Sequence, residues 1–283
     1  MPPSEIHEPE RTGGGARPPA VLLPCRTTPT PLIPAKAGTQ VPATGSGEHD
    51  SRTAEVRAAI STVLDPELDE SVVDLGFIAR VAVENDRAEV DFRLPTFWCS
   101  ANFAWIMAED MRAALAALPW LAHADVRLVD HFAAGKVNDG VAAGQGFREA
   151  FGGEVAADLA AIRETFRRKA YLGRMSRLIE TLREQGWRDE RILSSTVGGL
   201  REARADAGVA RLVDRFLELR AVHGGTSGPN DAAFRHPDGA AIAPDGLVSF
   251  LRDIRMTRRG VEANGEMCRM LLKARIEAPA PVE

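Results

Sequence analysis

Asp65-Pro66-Glu67-Leu68, Asp74-Leu75-Gly76 and Pro95-Thr96-Phe97-Trp98-Cys99 punctuate the stretch whose reading decides the fold of this 283-residue chain. Between the acidic turns and the cysteine, Phe77 to Val83 and Ala88 to Leu94 are β-rich, and Asn85-Asp86 is a hairpin signal. Upstream, Val56, Ile60, Val63 and Leu64 recur at helical spacing, which predicts a helix over Thr53–Leu64 ending before Pro66. Downstream, Ser100 can cap a helix whose apolar face is Phe103, Ile106, Met107, Met111, Ala114, Leu115 and Leu118, and Pro119 stops it. Asp125 to Val129 reads as a third strand. The order α-β-β-α-β over 51–132 gives a small sheet with helices on one face, the first part of an α+β chain.

The rest of the chain reads differently. Residues 133–146 are rich in Gly and Ala and suggest a linker. From 147 to 275 the pattern is helical, with stripes at Val155, Leu159, Ile162, Phe166, at Met175, Leu178, Ile179, Leu182, at Val209, Leu212, Val213, Phe216, and at Leu247, Phe250, Leu251, Ile254. His223 to Asp245 is a polar loop, and the whole second domain is expected to be all-α. Residues 1–50 and 276–283 lack apolar periodicity and are expected to be disordered tails. Pro31 to Gln40 resembles the translation of a dispersed bacterial repeat element, which suggests an over-extended start or an inserted repeat.

A formal charge of −5 with 45% hydrophobic and 27% charged residues gives no footprint for nucleic acid or a membrane surface. The three cysteines, Cys25, Cys99 and Cys268, are too few for a disulfide framework and suit a reducing, cytoplasmic setting. They also cannot supply four thiolates to a cluster, so any cluster needs a second protomer, another ligand type or a client protein.

Cys99 is the leading candidate for chemistry. A thiol just before a helix faces unpaired N–H groups and the positive end of the dipole, which suits metal or sulfur handling. Asp65, Glu67 and Asp74 can serve as hard ligands, proton acceptors or simple turn formers. His131 follows the third strand and can offer an imidazole at the same sheet end. Trp98 and Trp105 flank the cysteine as candidate partner-binding residues; Trp105 falls off the apolar stripe of its helix, so it can either stand exposed as a docking anchor or pack against the second domain or a twin subunit. Cys268, beside Met267, Leu271 and Leu272, reads as core. Arg167-Arg168-Lys169 with Arg174 and Arg177 reads as a solvated helix face, and Trp187 to Leu200 as two short helices around a turn. No Walker A, G-x-G-x-x-G, H-E-x-x-H or G-x-S-x-G motif is present.

The motifs Leu64-Asp65-Pro66-Glu67-Leu68, Val73-Asp74-Leu75-Gly76-Phe77-Ile78 and Leu94-Pro95-Thr96-Phe97-Trp98-Cys99 together resemble the SufT/PaaD-like family of metal-sulfur cluster assembly domains, over about residues 55–130. That family reads D-P-E-L, D-L-G-L-V and T-x-P-G-C-P. Here Trp98 and Ser100 replace the Gly and Pro flanking the cysteine, and the paired C-terminal cysteines of the PaaD branch are missing. The resemblance implies a non-enzymatic maturation factor that receives or passes iron or an iron-sulfur cluster transiently. Cys99 would be the contacting thiolate, with Asp65, Glu67, Asp74 and His131 shaping the site. The implied partners are a client metalloenzyme or other assembly proteins, with a homodimer as a further expectation; no nucleic acid and no membrane are expected. Two alternatives stand beside it: a metal-independent adaptor or oxygenase accessory protein, and an enzyme with Cys99 as nucleophile and His131 as base.

Overall fold

A computed structural model describes residues 45–152 and 159–277; Cys25, Val155, the 31–40 segment and residues 278–283 lie outside this range. The elements are α1 (Gly45–Ser61), β1 (Ile78–Glu84), β2 (Arg87–Arg93), α2 (Ala101–Ala116), β3 (His123–Val129), α3 (Ala134–Ala142), α4 (Phe147–Ala150), α5 (Leu159–Glu184), α6 (Asp189–Ser194), α7 (Val197–Ala203), α8 (Ala207–Arg220) and α9 (Leu247–Glu277). The fold class is α+β, with a small sheet and its helices followed by a helical region.

The α-β-β-α-β order predicted for the first part is present. Helix α1 begins at Gly45, inside the stretch read as tail, because its polar first turns carry no apolar period to betray them. Strands β1 and β2 pair antiparallel across Asn85-Asp86, where Asn85 takes a φ of 53°, and β2 pairs parallel to β3 through the α2 crossover. Alternation along β2 buries Ala88, Val90 and Phe92 on the helix-covered face. The opposite face carries an ionic lattice in which Arg80 pairs with Glu89 and Asp91, and Arg127 with Asp91 (2.9 Å).

The Gly/Ala-rich stretch read as a linker instead forms α3, with Val137 and Val141 buried in the first core. Its small residues allow close approach: a Cβ on Gly140 would lie 2.5 Å from Trp105 Cη2 and 2.8 Å from Ala150 Cβ. Asn138 fixes α3 to the edge strand, accepting from Leu128 N–H (2.8 Å) and donating to the Leu128 carbonyl (3.0 Å). Its amide thus fills the place of a neighbouring strand.

A second core gathers Tyr171, Met175, Leu178, Leu182, Val213, Phe216, Leu251 and Ile254 from α5, α8 and α9. The irregular segment after α8 is organised by Arg220, which is fully buried. Its guanidinium donates to the carbonyls of Ala233 (3.0 Å), Ala232 (3.0 Å) and Gly225 (3.1 Å) and to Ser227 Oγ (3.2 Å). The start of α5 docks on α2, with Phe166 edge-on to Phe103 (5.1 Å) and Arg163 paired to Asp110 (2.7 Å).

Candidate functional site

The cysteine loop leaves β2 at Leu94 and Pro95, both buried, and turns through Phe97 and Trp98 to reach α2. The Cys99 sulfur accepts the Thr96 N–H (3.4 Å) and lies 3.1 Å from Thr96 Oγ1. Its backbone-N–H partner therefore comes from its own loop, not from the first turn of α2 that the sequence suggested. Ser100 occupies the N-cap position of α2 but makes no side-chain cap bond. Cys99 is half-buried and its thiol is free.

The loop is held against the turn after β3. Phe132 N–H donates to the Phe97 carbonyl (3.0 Å). His131 Nδ1 accepts the Ala133 N–H (3.2 Å), which puts the ring proton on Nε2, and Nε2 donates to the Cys99 carbonyl (2.8 Å). Burial lowers the His131 pKa, the hydrogen bond to Cys99 works the other way, and the Arg275 charge lowers it further. The expected meeting of His131 with Cys99 thus occurs through the backbone, with both ring nitrogens engaged. His131 is a neutral strut under the cysteine, not an open imidazole.

The first acidic turn is closed by Asp65, which is buried; its Oδ1 accepts the N–H groups of Glu67 and Leu68, each at 2.9 Å. Burial raises its pKa to about 6, against the lowering effect of those bonds and with added repulsion from Glu67 and Glu70. Asp65 is a turn former here. Asp74 is exposed and lines, with Glu67 and Glu70, a cavity of about 410 Å³ facing α5, α8 and α9. Among the described residues no three His, Cys, Asp or Glu side chains are grouped so as to hold a metal ion.

Trp98 is 75% exposed, Phe97 48% and Phe132 58%, so an open aromatic surface surrounds the cysteine loop. Trp105 is the reverse of what its position suggested. It is fully buried, edge-on to Phe147 (5.5 Å) and Phe151 (6.1 Å), because α3 and α4 cover the second face of α2. The docking role expected of Trp105 is thereby removed.

Two features escaped sequence reasoning. Asp69, at a φ of 54°, accepts from Nη2 (2.7 Å) and Nε (2.8 Å) of Arg174 and from Nη2 of Arg215 (3.1 Å), clamping the acidic turn to α5 and α8. Cys268 is not simple core: Met267 and Leu271 beside it are exposed, and the thiol itself is half-buried. Burial pushes that thiol up to about 11, assisted by the charges of Asp65, Cys99 and Glu67. Both features join residues distant in sequence, and neither carries a local pattern.

Residues 53–128, from within α1 to near the end of β3, match the family described as iron-sulfur cluster assembly protein. No curated protein matches the chain. The family match supports a role in iron-sulfur cluster assembly. No helix among the described residues is long and apolar enough to cross a membrane.

Proposed function

We propose that this chain is a SufT/PaaD-like, non-catalytic maturation factor that receives or passes iron or an iron-sulfur cluster through Cys99. One observation carries the reading. The only cysteine of the matched region sits on an irregular loop with its sulfur half-buried, its main chain pinned by His131 and Phe132, and exposed aromatic rings around it. A sulfur so placed can meet cargo carried by another protein, while Trp98 and Phe97 supply the rigid apolar contact that anchors a partner. Asp65 and His131 hold the loops in shape, and Glu67 and Asp74 give the surroundings a negative charge. A single thiol binds metal weakly beside a full ligand set, which suits transfer rather than storage. In this reading the helical region recognises the client metalloenzyme.

Metal and sulfide content with an absorption spectrum, on anaerobically purified wild type and Cys99→Ala, tests the reading. Iron and sulfide that disappear in the variant are the expected result. Metal-free protein in both samples after attempted reconstitution would replace this reading with that of an adaptor.

A further inference from the structure

Helix α9 joins the helical region to the cysteine loop. Near its start Leu247, Leu251 and Ile254 pack in the second core, while Leu272 near its end packs in the first. A continuous α-helix of 31 residues is about 45 Å long, so its two ends reach separate parts of the fold. Ion pairs hold it along the way. Arg258 and Glu262 tie it to α5 through Glu180 (2.6 Å) and Arg177 (2.5 Å), and Arg269 pairs with Glu70 beside the first acidic turn.

The last of these contacts falls on the site. Arg275 donates through Nη1 to the Leu94 carbonyl (2.8 Å) and through Nη2 to the Asp130 carbonyl. Leu94 and Asp130 directly follow Arg93 and Val129, the last partners in the parallel register of β2 and β3. The planar fork of the guanidinium thus sits across the two strand ends, one step beyond the last register pair. From there the chain parts into the cysteine loop and the His131 turn. These meet again where Phe132 N–H reaches the Phe97 carbonyl and His131 the Cys99 carbonyl. The cysteine loop is therefore fastened at its tip by the turn after β3 and at its root by α9.

We infer that Arg275 is a positioning residue for Cys99: it fixes the root of the cysteine loop and so sets how far the thiol is exposed. Helix α9 is then the part through which the helical region governs access to the site. This deepens the proposed function and rests on it, since access to the thiol matters where Cys99 meets cargo. A partner that draws the end of α9 away removes both bonds at once and loosens the loop around a sulfur that is otherwise half-buried. Lysine cannot span the two carbonyls in the same way, because its ammonium is a compact donor on a flexible stem.

The test is the rate at which iodoacetamide alkylates Cys99 in the reduced full chain at neutral pH, resolved peptide by peptide by mass spectrometry. Arg275→Met should speed alkylation of Cys99 about 10-fold, because a hydrogen bond from a charged donor to the carbonyl of the buried Leu94 is worth at least that factor. The low end of the range applies because Arg93 also ties Asp130 (2.7 Å) across the strand ends. Cys268, on α9 itself, should keep its own rate. Arg275→Lys should fall between wild type and Arg275→Met. Arg269→Met removes a charge from the same helix without touching the loop, and should leave Cys99 at the wild-type rate. Unchanged alkylation of Cys99 in Arg275→Met would overturn the inference. So would equal acceleration of Cys99 and Cys268 in a variant that melts as wild type does, because α9 would then have come loose as a whole. Should Arg275→Met fail to fold, Arg275→Lys carries the test: faster alkylation of Cys99 at an unchanged melting temperature supports the inference, and the wild-type rate overturns it. None of these rates involves metal. The inference can therefore fail while iron and sulfide still track Cys99, and metal-free protein would remove the cargo while leaving the positioning of the thiol in place.

Discussion

Replacing Asp69 by Asn is the sharpest probe of how the helical region is fastened to the motif-bearing loops. The carboxylate accepts two bonds from Arg174 and one from Arg215, and the side chains of Arg174 and Asp69 are only 9% and 17% exposed. Asn keeps the shape and tolerates the positive φ of 54°, so the substitution removes charge without adding backbone strain. Arg174 retains Glu218 (3.0 Å) and Arg215 retains the Asp69 carbonyl (2.7 Å), which limits the damage. Bonds to charged groups contribute about 1.5–3 kcal/mol each, and the retained partners bring the expected loss down to about 2–4 kcal/mol in all. Urea unfolding of the full chain should show a lower midpoint with an unchanged slope, and 0.5 M salt should alter the difference little. A double-mutant cycle with Arg174→Met should give a coupling of about 1–3 kcal/mol. A loss under about 0.5 kcal/mol, or strict additivity in the cycle, would refute the clamp.

Asp65 has a folded-state pKa of about 6 against 3.8, so the native protein binds the extra proton and stability falls as pH rises from 4 to 6.5. Asp65→Asn keeps the acceptor for Glu67 and Leu68 and should flatten that slope, with about 3 kcal/mol at most recovered above pH 6.5; an unchanged slope in pH-dependent melting would count against it. Gly140→Ala should lower the melting temperature by the equivalent of about 1–3 kcal/mol, because Trp105 and Ala150 leave no room for a Cβ. A rise instead, as helix propensity alone demands, would mean the contact yields. Arg220→Met strips the donors from five buried or part-buried acceptors and should cost about 3–5 kcal/mol, with amide exchange in 221–246 rising first; protection retained there would contradict its role. Trp98→Ala should change stability by less than about 0.5 kcal/mol while weakening client capture, since the ring is exposed.

The strands and α2 were legible because alternation and a 3.6-residue period are local signals, and Asn85-Asp86 marked the turn. The linker reading failed at 133–146 because small residues there serve close packing against Trp105 rather than freedom. The same burial explains Trp105, since a helix covered on two faces shows more apolar positions than one stripe accounts for. Cys99 and the acidic turns could be named from sequence, but the direction of each side chain could not. Asp65 turns inward to its own backbone and Asp74 outward to a cleft, a difference set by tertiary packing. Arg174 hid among neighbouring arginines as one member of a solvated face, and its buried pairing with the sequence-distant Asp69 sets it apart.

Asn138 has a consequence for how this sheet can meet other chains. Because its amide takes up both hydrogen-bonding groups of Leu128, a visiting extended segment cannot zip along β3 without first evicting a side chain rooted in α3. Growth of the sheet is left to the outer side of β1, a strand whose pairing with β2 is itself broken by a bulge between Ile78 and Arg80. The sheet is thereby one-sided toward strand-adding guests, and poorly disposed to stack edge to edge with its own kind.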